Sequence, residues 1–255
     1  MAISSATAQD WARKKVEQSP RHHEWVTVRH DNRAVATFVV YPQVSNKRPV
    51  VLIIHEIFGM TDWVQDLADQ VAAAGYIAVA PDLLSGMGPG GGRSSAYPDQ
   101  SARVEAVSEL NPDQITADLE AVADYAKKIP SANGKLVVVG FCWGGGQSFR
   151  FATNRRDLAA AFVFYGPPPS AEAMRRITAP VYGFYAGLDE RITSTIPEAR
   201  QEMKAAGKRY EPEVYAGAGH GFMRAGEAPD ATPGNRRARD QAWQRWKALL
   251  AKVRG

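Results

Sequence analysis

The chain has 255 residues, 45% hydrophobic and 23% charged, with a net charge of +4, which suits one large soluble core and excludes a disordered or fibrous chain. Its basic residues are scattered, and Arg236-Arg237-Ala238-Arg239 reads as a solvated helix face, so no nucleic-acid partner is expected. No run approaches the ~18–20 apolar residues of a membrane helix, and the single cysteine excludes an internal disulfide and a Cys-rich metal site.

Met1-Ala2-Ile3-Ser4-Ser5-Ala6 lacks the charged and apolar regions of a secretory signal, so the expectation is a cytoplasmic protein, or a periplasmic one if a leader has been removed. Ala8–Gln18 carries a weak helical pattern ending before Pro20, within an N-terminal extension of about 1–22. Glu24–Val28 and Ala34–Val40 alternate in polarity around Asp31-Asn32-Arg33, which predicts an antiparallel hairpin. Val50–Ile54 is continuously apolar, as a central strand would be. Thr61 or Asp62 caps a predicted helix with Val64, Leu67, Ala68 and Val71 on one face; Gly75 stops it, and Tyr76–Ala80 is the next strand.

From about 83 to 112 the chain is polar and glycine-rich, above all at Gly86–Gly92. Such a long excursion inside a domain is usually functional or mobile. Asp113 then starts a helix with Ile115, Leu119, Val122 and Ile129 on one face, and Asn133-Gly134 turns into the strand Lys135–Val139. Further strands are predicted at Ala160–Tyr165, Val181–Ala186 and Glu211–Tyr215. Helices fall near Glu172–Arg176, Pro197–Ala206 and Asn235–Val253, the last with Trp243, Trp246, Leu249 and Leu250 on one side. Strands alternating with helices predict a single α/β domain over 1–255: a mostly parallel sheet covered on both faces.

Cys142 sits in Gly140-Phe141-Cys142-Trp143-Gly144-Gly145, directly after a predicted strand and before a helix. That is the pattern of a nucleophile elbow, whose sharp turn requires small residues two positions either side of the nucleophile. In such a fold the acid and the histidine follow the nucleophile, each on a loop after a strand. Asp189 follows Val181–Ala186, and His220 follows Glu211–Tyr215 within Gly217-Ala218-Gly219-His220-Gly221. Each alone has a plain structural reading: core thiol, turn aspartate, surface histidine. Together and in this order they point to a Cys142–His220–Asp189 triad. The backbone N–H groups of Ile57, on the loop after Val50–Ile54, and of Trp143 are the expected oxyanion donors. His22, His23 and His30 are read as solvated surface, whereas His55 ends a strand and opens that loop.

Glu56-Ile57-Phe58-Gly59, the cysteine elbow, Ala80-Pro81-Asp82-Leu83 and Gly219-His220-Gly221-Phe222-x-Arg224 resemble the dienelactone hydrolase family from about Val50 to Phe222. The resemblance implies the α/β-hydrolase fold, no cofactor and no metal. It also implies that Glu56 holds the resting thiol and accepts its proton when substrate arrives; the plainer reading of Glu56 is a helix-capping carboxylate. Arg224 would clamp a substrate carboxylate, with Arg103, or second Arg93, as its partner. Phe58, Trp143, Tyr97 and Phe222 read equally as pocket lining or as core. The chain departs from the best-known members in having His55 where they carry Gln, in the Gly86–Gly92 insertion and in a longer N-terminal extension. These features bear on the substrate rather than on the mechanism.

The function expected is carboxymethylenebutenolidase-like hydrolysis of a carboxylic ester or lactone through a thioester acyl-enzyme, by a monomer or weak homodimer acting on a small molecule. The alternatives are a broad carboxylesterase acting on neutral esters and a non-catalytic binding protein on a hydrolase scaffold. Redox chemistry at Cys142 would lack a second cysteine to resolve an oxidised thiol.

Overall fold

A computed structural model describes residues 9–254, so the expectations for Met1–Ala6 lie outside the described residues. The chain divides into one unit running to Gly134 and another starting at Lys135.

The first unit begins with helix α1 (Asp10–Glu17) and the expected hairpin, β1 (His23–His30) and β2 (Arg33–Val40). Val28 pairs with Val35 across it, and Asp31 takes a positive φ of 45° in its tight turn. Strand β3 (Arg48–Ile54), helix α2 (Asp62–Ala73) and strand β4 (Ile77–Pro81) follow. β3 and β4 run parallel while β2 joins β4 antiparallel, giving the order β1-β2-β4-β3. Every residue of Val50–Ile54 has 0% exposure, which accounts for the unbroken apolar run. Each such side chain contributes roughly 1.5–3 kcal/mol relative to an exposed one.

The excursion after β4 is more ordered than its composition predicts. It contains helix α3 (Gln100–Ser108), which glycine counting misses and which Asp99 caps by accepting from the Ala102 N–H at 2.9 Å. Buried Ser94 ties the same segment down. Its N–H and hydroxyl donate to the two carboxylate oxygens of Asp82, at 3.0 and 2.7 Å. Helix α4 (Pro112–Lys127) starts one residue earlier than expected, with Asn111 as its cap, and stops short of Ile129. One histidine is also corrected. His30 is largely shielded, with Nε2 2.7 Å from the buried Asp118, which Arg33 also grips at 2.7 Å.

The second unit is built on β5 (Ala132–Phe141), whose assigned span includes Asn133-Gly134 where a turn was expected; Gly134 has φ 84°. After it come α5 (Trp143–Asn154), β6 (Leu158–Phe164), α6 (Ala171–Met174), β7 (Val181–Ala186), α7 (Glu190–Thr193), α8 (Ile196–Ala205), β8 (Tyr210–Tyr215), α9 (Phe222–Ala225) and α10 (Pro233–Arg254). Strands β5 to β8 are all parallel and lie in chain order. An aromatic ladder crosses them. Phe141 stacks on Phe164 at 4.7 Å, Phe164 stacks on Phe184 at 4.2 Å, and Trp246 of α10 meets Phe164 edge-on at 5.4 Å. Phe141 and Phe164 are register partners and the last residues of their strands, so the ladder levels the strand ends from which the next segments leave.

Candidate functional site

Cys142 is held by main chain in a conformation few side chains adopt, with φ 57° and ψ −119°. A non-glycine residue there costs on the order of 1–3 kcal/mol, and such strain gathers at functional positions. The Cys142 N–H donates to Phe164 O at 3.0 Å, and the N–H of Gly145 returns to Cys142 O at 2.9 Å. The turn is so tight that a Cβ on Gly140 would lie 1.8 Å from Gly144 O, and one on Gly145 would lie 2.3 Å from Phe164 O. Cys142 is partly exposed at the N-cap of α5.

The loops after β7 and β8 are stitched together. Gly187 N–H donates to Tyr215 O and Leu188 N–H to Ala218 O, both at 2.9 Å. Asn235, at the start of α10, accepts the Gly219 N–H at 2.8 Å. This stitching sets His220 between its two neighbours. Its Nδ1 is 2.5 Å from Asp189 Oδ2 and its Nε2 3.0 Å from Cys142 Sγ. The carboxylate accepts, so Nδ1 carries the proton and Nε2 faces the thiol. The fully buried Tyr165 presents its ring edge-on to the imidazole at 5.1 Å. The sequence pattern points to Cys142, Asp189 and His220, which the structure brings together, but not to Asn235 or Tyr165, which contact the histidine loop. Asn235 gives a faint signal in the helix-start sequence Pro233-Gly234-Asn235, and Tyr165 gives none.

The remaining expected residues fall in both units. In the first, Glu56 is a buried carboxylate two residues past the end of β3, and Ile57 and Phe58 are half-buried after it. His55 is fully buried, its Nδ1 2.7 Å from Glu56 O and its Nε2 accepting the Leu83 N–H at 3.4 Å. Burial pushes its pKa down, opposed by the charge of Asp82, so the neutral ring is favoured. Arg103 donates from Nε to Phe58 O at 3.2 Å, and the Arg93 guanidinium stacks on Trp25 at 3.5 Å. Tyr97 donates to Met87 O at 3.1 Å. In the second unit Trp143 is half-buried at the first turn of α5, and Arg224 is half-buried on α9. Phe222 is core, fully buried between Tyr165 and Tyr215. Among the described residues no group of three or more His, Cys, Asp and Glu is placed to hold a metal ion, and no helix is long and apolar enough to cross a membrane.

Parallel strands with helices between them, and a bent Cys turn facing His and Asp loops, have the architecture of an α/β-hydrolase. Residues 35–254 match the model of the "Dienelactone hydrolase family". A protein of Salmonella typhi named "Putative carboxymethylenebutenolidase" is 31% identical over 220 residues, covering 81% of this chain and 78% of that one. A Yersinia pestis protein of the same name is 33% identical over 186 residues, 68% of each chain. The crystal structure titled "Putative Dienelactone Hydrolase" from Klebsiella pneumoniae is 27% identical, with a TM-score of 0.79 over 91% of this chain and 98% of that one. The chain belongs to the dienelactone hydrolase family, and with that membership comes its enzyme class, a hydrolase acting on esters or lactones.

Proposed function

We propose that this hydrolase cleaves a small carboxylic ester or lactone by nucleophilic catalysis at Cys142, through a thioester acyl-enzyme. The observation that carries this reading is the chain of contacts Cys142 Sγ–His220 Nε2–Asp189 Oδ2, at 3.0 and 2.5 Å. His220 takes the thiol proton, and the thiolate attacks the carbonyl carbon. The resulting oxyanion is received by the N–H groups of Ile57 and Trp143. As the tetrahedral adduct collapses, His220 returns the proton to the leaving alkoxide. Water, activated by the same imidazole, then attacks the thioester, releasing the acid and restoring the thiol. Asp189 keeps Nδ1 protonated throughout and balances the imidazolium formed in each half-reaction.

The position of Cys142 at the N-terminus of α5 favours the thiolate, because the helix end carries partial positive charge. Glu56 is assigned, from the family resemblance, the task of keeping the resting thiol protonated and accepting its proton when substrate arrives, so that His220 receives that proton by way of this carboxylate; its burial suits a carboxylate that acts on a protein group rather than on solvent. The test is turnover of 4-nitrophenyl acetate by the native protein and by C142A, with mass spectrometry of the acylated protein. The expected result is loss of turnover and of the +42 Da adduct in a variant that melts like the native protein, the mass being about that of one acetyl group on the nucleophile. Retained turnover in C142A would overturn the proposal.

A further inference from the structure

The loop after β3 is tied at nearly every residue, and one of these ties bears on chemistry. The Glu56 carbonyl accepts twice, from His55 Nδ1 at 2.7 Å and from the Gly59 N–H at 3.1 Å. Beyond it, Arg103 holds Phe58 O, and the Ser94 hydroxyl accepts the Met60 N–H at 3.0 Å. Gly59 closes this turn at φ 72°, and a Cβ there would lie 2.5 Å from Ser94 Oγ.

A peptide unit is planar, and in the trans form its C=O and N–H point in opposite directions. No cis peptide occurs among the described residues, so fixing the Glu56 carbonyl fixes the Ile57 N–H on the opposite side of the same plane. His55 is therefore more than a buried core side chain. Its Nδ1–H orients one face of the peptide, while its Nε2 is anchored by the Leu83 N–H on the loop after β4. Donating from one nitrogen while accepting at the other is possible only for the neutral Nδ1–H tautomer.

We propose that His55 is a positioning residue for the oxyanion hole: by clamping the Glu56 carbonyl between its own Nδ1–H and the Gly59 N–H, it pre-aims the Ile57 N–H at the oxyanion. This rests on the hydrolytic reading above, in which that N–H is a donor. Preorganisation matters because an oxyanion donor contributes only if it needs no reorientation when charge develops, and losing one such donor typically costs about 10²–10³-fold in rate.

The choice of side chain makes the role testable. Asparagine places an N–H near the position of Nδ1 but has no group at Nε2. Glutamine carries both a donor and an acceptor at a spacing close to that of the imidazole, and leucine carries neither. The acylation burst with 4-nitrophenyl acetate is measured for the native protein, H55Q, H55N, H55L and C142A, with a thermal melt of each. We expect H55L to lose about 10²-fold in acylation rate with KM changed less than about threefold, since the donor acts on the transition state. H55Q and H55N should recover most of that rate, and H55N should do so despite a lower melting temperature, because it loses the Leu83 anchor. If H55L does not fold, the comparison of H55Q, H55N and native protein decides alone: an H55N rate that falls in proportion to its stability overturns the role. So does an H55L acylation rate within about threefold of native, below the effect of any oxyanion donor. Absence of a Cys142-dependent burst in the native protein overturns the hydrolytic reading itself, and the His55 role with it.

Discussion

The α-carbon of Gly140 packs against the carbonyl of Gly144 so closely that a Cβ on Gly140 would approach its oxygen to 1.8 Å. Both partners are backbone, and no rotamer change relieves the overlap. We expect G140A to force the elbow open, destabilising the protein by about 3 kcal/mol, at the upper end of ordinary overpacking. For a chain of this size that is a fall in Tm of roughly 6–12 °C. G146A is the control, since its added carbon would meet only Pro167, at 3.2 Å from Cδ, 3.3 Å from Cγ and 3.6 Å from the carbonyl oxygen. Calorimetry of both variants, with acylation rates, checks the claim; a G140A protein that melts and reacts like G146A would contradict it.

Much of this site is legible in the sequence because a nucleophile elbow is local. Gly140, Cys142 and Gly144 are forced by one turn, and that turn is announced by an apolar strand ending in glycine. The loops carrying Asp189 and His220 are legible for the same reason, each following an apolar strand that is plain in the sequence. What stays hidden depends on partners distant in the chain. His30 looks like a surface residue beside a turn until Asp118, 88 residues away, closes on it. Helix α3 is obscured because it follows a glycine-rich run and its own residues are weakly amphipathic; only the Asp99 cap marks it. Tyr165 touches His220 through tertiary packing alone, and no spacing rule connects them.

Asn235 is the clearest long-range support of the histidine loop. Its Oδ1 accepts the Gly219 N–H at 2.8 Å, one residue before His220, and its own N–H donates to Thr232 Oγ1 at 3.3 Å. Removing the acceptor leaves a partly buried N–H unsatisfied, a cost of about 1–3 kcal/mol. N235A should therefore melt several degrees lower and turn over ester more slowly, because the loop that presents the imidazole is loosened. N235D retains an acceptor oxygen and should recover most of the loss. Equal damage from both would place the effect in helix α10 rather than in the hydrogen bond to Gly219.

Part of the stability lost at alkaline pH traces to Tyr185 of β7 and Tyr210 of β8, two of several tyrosines whose pKa burial raises. The hydroxyls of Tyr185 and Tyr210 lie 2.7 Å apart. Burial pushes Tyr210 up to about 12 and Tyr185 well above its usual value of 10.0. Both folded pKa values exceed the unfolded value. The stabilisation is therefore fully present below pH 10.0 and is lost as pH rises through the interval toward about 12, where the unfolded chain gives up protons that the folded one keeps. Urea titrations across that interval should show falling stability, and Y210F should show a shallower fall because one of the two shifted groups is gone. An unchanged slope in Y210F would exclude this pair as the cause.

The choice between an anionic lactone and a neutral ester turns on Arg224. The side chain sits on the short helix α9, four residues after His220, so the backbone that presents the imidazole also presents the guanidinium. A charged hydrogen bond to a substrate carboxylate is worth about 1.5–3 kcal/mol, or about 10–150-fold in kcat/KM at 1.4 kcal/mol per decade. R224A should lose that much on dienelactone and less than about threefold on 4-nitrophenyl acetate, which carries no carboxylate and forfeits none of that charged bond. R224K keeps the charge but not the planar fork, so it should recover only part of the loss if the carboxylate is held by two parallel hydrogen bonds. A parallel fall on both substrates would carry a different meaning. Arg224 would then act by holding α9 and the His220 loop in place, and the preference of the enzyme would lie with neutral esters.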